Sequence, residues 1–257
     1  MMLKVAVAVG VSLVAAAPVF AAEQAVVVSH QKSVEPDAAL KAFVDALRRE
    51  LSAPKLDYAR IDGMFASKVR TFQRSLDPLE PWRKTGEIKS NYLASAAGLL
   101  VEQAELPEGT KVPDYRPDAA RQMMLIISKG TFGWMTQVPN TVCTPPAYRV
   151  NAAAVKVFAA AHGSDASNLR FFASEIELKK QPKADAASVG KVPAATLLAF
   201  EYDSKAPDGW NLLIGSNGVK GYHRSEDGGQ LYLSQMHLCF GKFKAGYRIT
   251  SIFSFGL

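Results

Sequence analysis

The sequence predicts an α+β protein in which a mainly helical region, residues 36–165, precedes a small β-barrel with a C-terminal strand extension, residues 170–257. Three observations carry this expectation. Apolar residues recur at helical spacing between Leu40 and Leu51. From about Ala173 the pattern changes to short apolar runs separated by Gly, Pro and Asn turns. Strands this short, at this spacing, suit a small barrel.

The opening segment has the pattern of an export signal. Lys4 supplies a positive charge, and Val5 to Ala17 is an uncharged run of Val, Ala, Leu, Gly and one Ser that Pro18 closes. Val19 and Ala21 stand at the −3 and −1 positions of a cleavage site after Ala21, so residues 1–21 are expected to be a cleavable signal peptide. An uncleaved anchor would need about 20 apolar residues, more than this Ala-rich run offers. The expected location is therefore periplasmic or secreted, with no stable membrane insertion after cleavage. Residues 22–35 are small and polar, as in a flexible leader.

Pro36 suits a first helical position. Beyond it Leu40, Phe43, Val44, Leu47 and Leu51 line one side of a helix that Pro54 stops. Leu56, Ile61, Phe65, Val69 and Phe72 can line a second helix that Gly63 weakens, or Lys68–Phe72 can be a strand. A third helix is expected over Ser90–Gln103, and a proline-rich loop over Leu106–Pro117. Met123–Ile127 fits the end of a helix or a strand. Gly130–Pro146 reads as a covered loop packing Phe132 and Trp134 into the core, with a site-lining loop as the other option. Asn151 caps a helix over Ala152–Ala161, ended by His162-Gly163. The β region follows, with turns at Gln181-Pro182, Pro207-Asp208-Gly209 and Ser216-Asn217-Gly218, the last a hairpin signal.

Composition sets bounds on function. At 48% hydrophobic and 21% charged, the chain can bury an ordinary core. The net charge of +6 is scattered, without a Lys/Arg block, which argues against nucleic acid as a partner. Anionic lipid headgroups or acidic glycopolymers remain compatible with a mild positive balance. Only two cysteines occur, Cys143 and Cys239, and in an exported chain they are expected to form a disulfide, the alternative being two buried thiols.

Three stretches, Ser188-Val-Gly-Lys-Val-Pro-Ala-Ala-Thr-Leu-Leu, Asp208-Gly-Trp-Asn-Leu-Leu and Asn217-Gly-Val-Lys-Gly-Tyr222, resemble the bacterial SH3 (SH3b) family over about a fifth of the chain. The resemblance implies an SH3-like barrel over these strands. Departures are Leu178-Lys-Lys-Gln-Pro at the usual family start, Ala195 for a family glycine, and His223 for an apolar residue. In SH3-like barrels a groove formed by Tyr202, Trp210 and Tyr222 can hold an extended peptide or glycan by stacking, although Trp210 can equally be core.

Catalytic and metal chemistry finds little footing. His223, His237 and Cys239 lack a fourth zinc ligand at suitable spacing, so no metal and no cofactor is expected. Cys143 lies before Thr-Pro-Pro, which resists the helix start a cysteine peptidase needs, and no Gly-x-Ser-x-Gly occurs. Glu201, Asp203 and Asp208 read as a solvated loop edge. The expected function is non-enzymatic binding of peptidoglycan or an envelope protein, with a cell-wall hydrolase or an activator of one as the alternative.

Overall fold

The computed structural model describes residues 25–30, 33–101, 111–224 and 230–255; the expected signal peptide at 1–21 lies outside the described residues. The chain begins with strand β1 (Ser29–His30) and helix α1 (Ala38–Leu51). Asp37 caps α1 by accepting from the Leu40 amide at 2.8 Å, while Leu40, Val44, Leu47 and Leu51 are buried along one stripe. Helix α2 (Tyr58–Asp62) lasts five residues and gives way past Gly63 to a ten-residue strand, β2 (Phe65–Arg74). The aromatic and β-branched content of Phe65, Val69, Thr71 and Phe72 thus prevails as strand. Strand β3 (Arg83–Ile88), helix α3 (Tyr92–Leu100) and helix α4 (Arg116–Ser128) follow, so Met123–Ile127 is helical.

Strands β4 (Gly133–Trp134), β5 (Val142–Thr144) and β6 (Tyr148–Arg149) lead to helix α5 (Ala152–Ala161), where Asn151 accepts from the Ala154 amide at 3.2 Å. Seven strands come next: β7 (Arg170–Phe172), β8 (Ile176–Lys179), β9 (Ser188–Val192), β10 (Leu198–Glu201), β11 (Trp210–Gly215), β12 (Lys220–Arg224) and β13 (Gln230–Tyr232). The chain closes with β14 (His237–Phe243) and β15 (Gly246–Phe255).

Strands β1 and β6 pair with each other and the other thirteen form two large sheets, so the expected helical region followed by an SH3-like barrel is not what the chain builds. The structure is mostly β, with one six-stranded sheet ordered β3-β2-β15-β14-β5-β4 and one seven-stranded sheet ordered β13-β7-β10-β11-β12-β8-β9. The outer strands β13 and β9 are not paired with each other, so the seven-stranded sheet stays open. The physical reason lies in the C-terminal strands. Ile249, Thr250, Ser251, Ile252, Phe253 and Ser254 are all buried, a run that demands cover on both faces and neighbours on both edges. Strand β15 meets that demand between β14, antiparallel, and β2, parallel, in the centre of the six-stranded sheet.

Helices α1, α3 and α4 cover one face of that sheet, enclosing Leu40, Leu47, Leu93, Met123, Ile127, Phe240, Ile249 and Ile252. On the other face Phe72, Met135, Val138, Phe253 and both cysteines form a smaller core. Phe132 packs into the core as expected, but Trp134 is 36% exposed.

The seven-stranded sheet is an excursion between two neighbouring strands of the six-stranded one. Cys143 in β5 lies directly opposite Cys239 in β14, their Cα atoms 3.9 Å apart, and the two form a disulfide. Within the stretch expected as a leader, Val26 and Val28 are buried against this second unit. The Val28 amide donates to Ala195 O at 2.7 Å and the Leu197 amide to Val26 O at 3.0 Å.

Candidate functional site

The β11–β12 hairpin carries a group of ligand-competent side chains. Its Ser216-Asn217-Gly218 turn is closed by a Gly215 amide bond to Val219 O at 2.8 Å, with Gly218 at φ +82°. The register pairs Trp210 with Arg224 and Leu212 with Tyr222. Trp210 and Tyr222 are therefore diagonal neighbours on one face, a relation that brings large aromatic rings within reach of each other.

Strand β12 joins β8 at Tyr222 and Lys179. Gly221 permits this approach: a Cβ there would stand 2.8 Å from Lys179 O and 2.9 Å from Leu178 Cβ. Beyond this point a cleft of about 440 Å³ is lined by Trp210, Tyr222, His223 and Arg224 on one side and by Glu175 and Glu177 on the other. That volume lies within the range of small-ligand sites.

Fixed charges surround the aromatic rings. The Tyr222 hydroxyl donates to the Asp203 carboxylate at 2.6 Å, which holds the Asp203 carboxyl below its usual range and raises the Tyr222 phenol. Lys179 donates to Glu177 at 2.6 Å and lowers its carboxyl, and Lys191 donates to Glu175 at 2.7 Å. His223 is buried, its ring edge-on to Phe172 at 4.8 Å between centroids, and its Nε2 has no hydrogen-bond partner.

Of the expected groove residues, the structure brings Trp210 and Tyr222 into one cleft and leaves Tyr202 out of it. Glu201 pairs with Leu212 and so shares the Tyr222 face, whereas Tyr202 follows the strand end and is 80% exposed. His223, Arg224, Glu175 and Glu177 were not anticipated as cleft residues. Their one signal was His223, a polar residue where the pattern called for an apolar one.

Other arrangements are occupied by structural roles. Glu201 pairs with Lys220 at 2.7 Å. Cys143 and Cys239 are the only cysteines and are bonded to each other, so a cysteine nucleophile has no thiol to draw on. His237 bonds Pro145 O through Nδ1 at 2.7 Å and stands in the six-stranded sheet, whereas His223 stands in the seven-stranded one. Among the described residues no group of three or more His, Cys, Asp or Glu is placed to hold a metal. A small cavity of about 30 Å³, lined by Arg74, Trp82, Tyr148 and His237, has the size for a water molecule or two.

Comparison of the sequence with protein-family models and with curated proteins returns no match.

Proposed function

We propose that the protein is an exported, non-catalytic binding protein whose seven-stranded sheet holds a segment of peptidoglycan. The observation that carries this reading is the diagonal pair Trp210 and Tyr222 in a cleft edged by Glu175, Glu177, Lys179 and Arg224. Aromatic faces stack on the apolar C–H faces of sugar rings, and the charged rim bonds hydroxyl, amide and carboxylate groups along a polar chain. The apolar run Val5–Ala17, closed by Pro18, supports export to the compartment where that polymer lies.

Co-sedimentation of residues 22–257 with purified sacculi tests the proposal. The protein pellets with sacculi, Trp210→Ala lowers retention at least ~10-fold, the size of a lost aromatic hot spot, and Tyr202→Ala leaves it unchanged. No retention of the unmodified protein refutes the reading, as does full retention of a correctly folded Trp210→Ala. Clearing of sacculi in a zymogram would move the assignment to a hydrolase.

A further inference from the structure

The opposite kind of surface lies at one end of the six-stranded sheet. Strands β2 and β15 run parallel, β3 and β14 antiparallel to them, so the start of β2, the end of β3 and the β14–β15 turn share that end. The turn carries Lys242, Phe243 and Lys244, all exposed, with Phe243 at 50%. A Cβ on Gly241 would lie 3.4 Å from the Phe243 ring, so this ring rests over Gly241. Gly241 is the direct partner of Arg248, on the face turned away from the helices that bury Phe240 and Ile249.

Cations lie towards that end of the sheet. Lys68 stands on β2, Lys89 follows β3, Arg248 is the third residue of β15 and Lys244 occupies the turn. None of the four makes an ion pair with a described residue. The local carboxylate is Glu87, opposite Arg70 and bonded to Lys84 at 3.1 Å. The Lys84 bond and the charges of Lys84, Lys68 and Lys89 all lower its carboxyl, so Glu87 stays ionised yet is outnumbered. Lys242 is matched by Asp37 at 2.8 Å.

We infer that this end of the six-stranded sheet docks on an anionic phospholipid surface, with Phe243 entering the headgroup region and Lys68, Lys89, Lys244 and Arg248 facing lipid phosphates. Charge complementarity selects an anionic partner. The half-exposed ring between two lysines selects a bilayer over a soluble polyanion, because an aromatic side chain gains by insertion at the interface and lysines beside it reach the phosphates. The surface is separate from the cleft and does not depend on what the cleft binds.

Sedimentation with sucrose-loaded vesicles of phosphatidylcholine, with and without phosphatidylglycerol, tests the inference on residues 22–257. The protein pellets with phosphatidylglycerol vesicles, and high salt releases it. Replacing Lys68→Gln and Lys89→Gln lowers partitioning about fivefold for each charge removed. Phe243→Ala lowers it further while the salt dependence persists, and Trp210→Ala has no effect. Both surface variants lie on exposed positions, and an unchanged thermal transition shows that they fold. Equal pelleting with both vesicle types, no pelleting, or pelleting that survives the lysine pair overturns the inference. So does binding to soluble polyphosphate without binding to vesicles.

Discussion

Lowering the pH from 7 to 5 should weaken the fold through one residue, His237. Its side chain is 2% exposed at the start of β14, edge-on to Trp82 at 5.7 Å and to Phe253 at 5.9 Å between centroids. Pro145 O can only accept, so Nδ1 carries the proton and donates. Burial pushes the imidazole pKa down from 6.5 to about 4; the Pro145 bond opposes this, and the Arg74 guanidinium reinforces it. The unfolded chain therefore takes up a proton near pH 6.5 that the folded chain refuses until about pH 4. Stability from this group is complete above pH 6.5 and is lost as the pH falls towards 4. At pH 5 the loss relative to pH 7 is about 2 kcal/mol, approaching ~3 kcal/mol at pH 4. Asp37 and Asp114, both held down to about 2 by their hydrogen-bond partners, lose their contributions only at more acid pH. Urea denaturation of the protein and of His237→Gln at pH 7 and pH 5 measures the effect, since Gln keeps a donor for Pro145 O. The two proteins should differ in pH dependence by about 2 kcal/mol. Equal pH dependence would refute the account of a neutral buried imidazole.

Two further outcomes follow from the packing. The Cys143–Cys239 bond closes a separation of 96 residues, so a Cys143→Ala, Cys239→Ala double variant should lose about 2–5 kcal/mol in denaturant titrations. Alkylation in denaturant without reductant should label neither cysteine, and labelling of both would show that the bond does not form. Gly221→Ala should cost about 1–3 kcal/mol, because the new methyl would press on Lys179 O and Leu178 Cβ at the β12–β8 junction. An unchanged thermal transition for that variant would mean that β8 can move aside freely.

Local features were legible where a side chain caps or turns its own neighbourhood. The stripe from Leu40 to Leu51, the Asn151 cap and the Ser216-Asn217-Gly218 turn depend on residues a few positions apart. Once that turn is placed, the diagonal relation of Trp210 and Tyr222 follows from the hairpin register. The partner of β15 was not legible, because nothing near Ile252 or Phe253 points to Thr71 and Phe72. The unbroken burial of Ile249–Ser254 belongs to a central strand, whereas its sequence pattern alone suits a barrel extension. The resemblance to SH3-like barrels groups Tyr202 with Trp210 and Tyr222, but Tyr202 lies one residue past the pleat that Glu201 shares with Tyr222. The cleft's far wall, Glu175 and Glu177, depends on where β8 parts from β12, and the close approach at Gly221 sets that place.

The excursion that builds the cleft leaves and rejoins the six-stranded sheet through adjacent chains, and side chains fasten the two where the backbone ladder stops. The last ladder pair is Thr144 with Leu238, beside the Cys143–Cys239 bond. Beyond it Pro145 O accepts from His237, and Tyr148 accepts from the Gln235 amide at 2.7 Å. The contacts Cys143–Cys239, Pro145–His237 and Tyr148–Gln235 thus continue the antiparallel order outward from the sheet. The covalent bond holds the ends of the excursion together, so the hydrogen bonds beyond it form without the full loss of loop entropy that such a closure would otherwise cost. Burial then makes the Pro145 bond costly to break, because a separated His237 would leave a polar group unsatisfied inside the protein. The covalent and polar links restrain the same two short segments, where the cleft-bearing sheet leaves and rejoins the six-stranded sheet that carries the basic face.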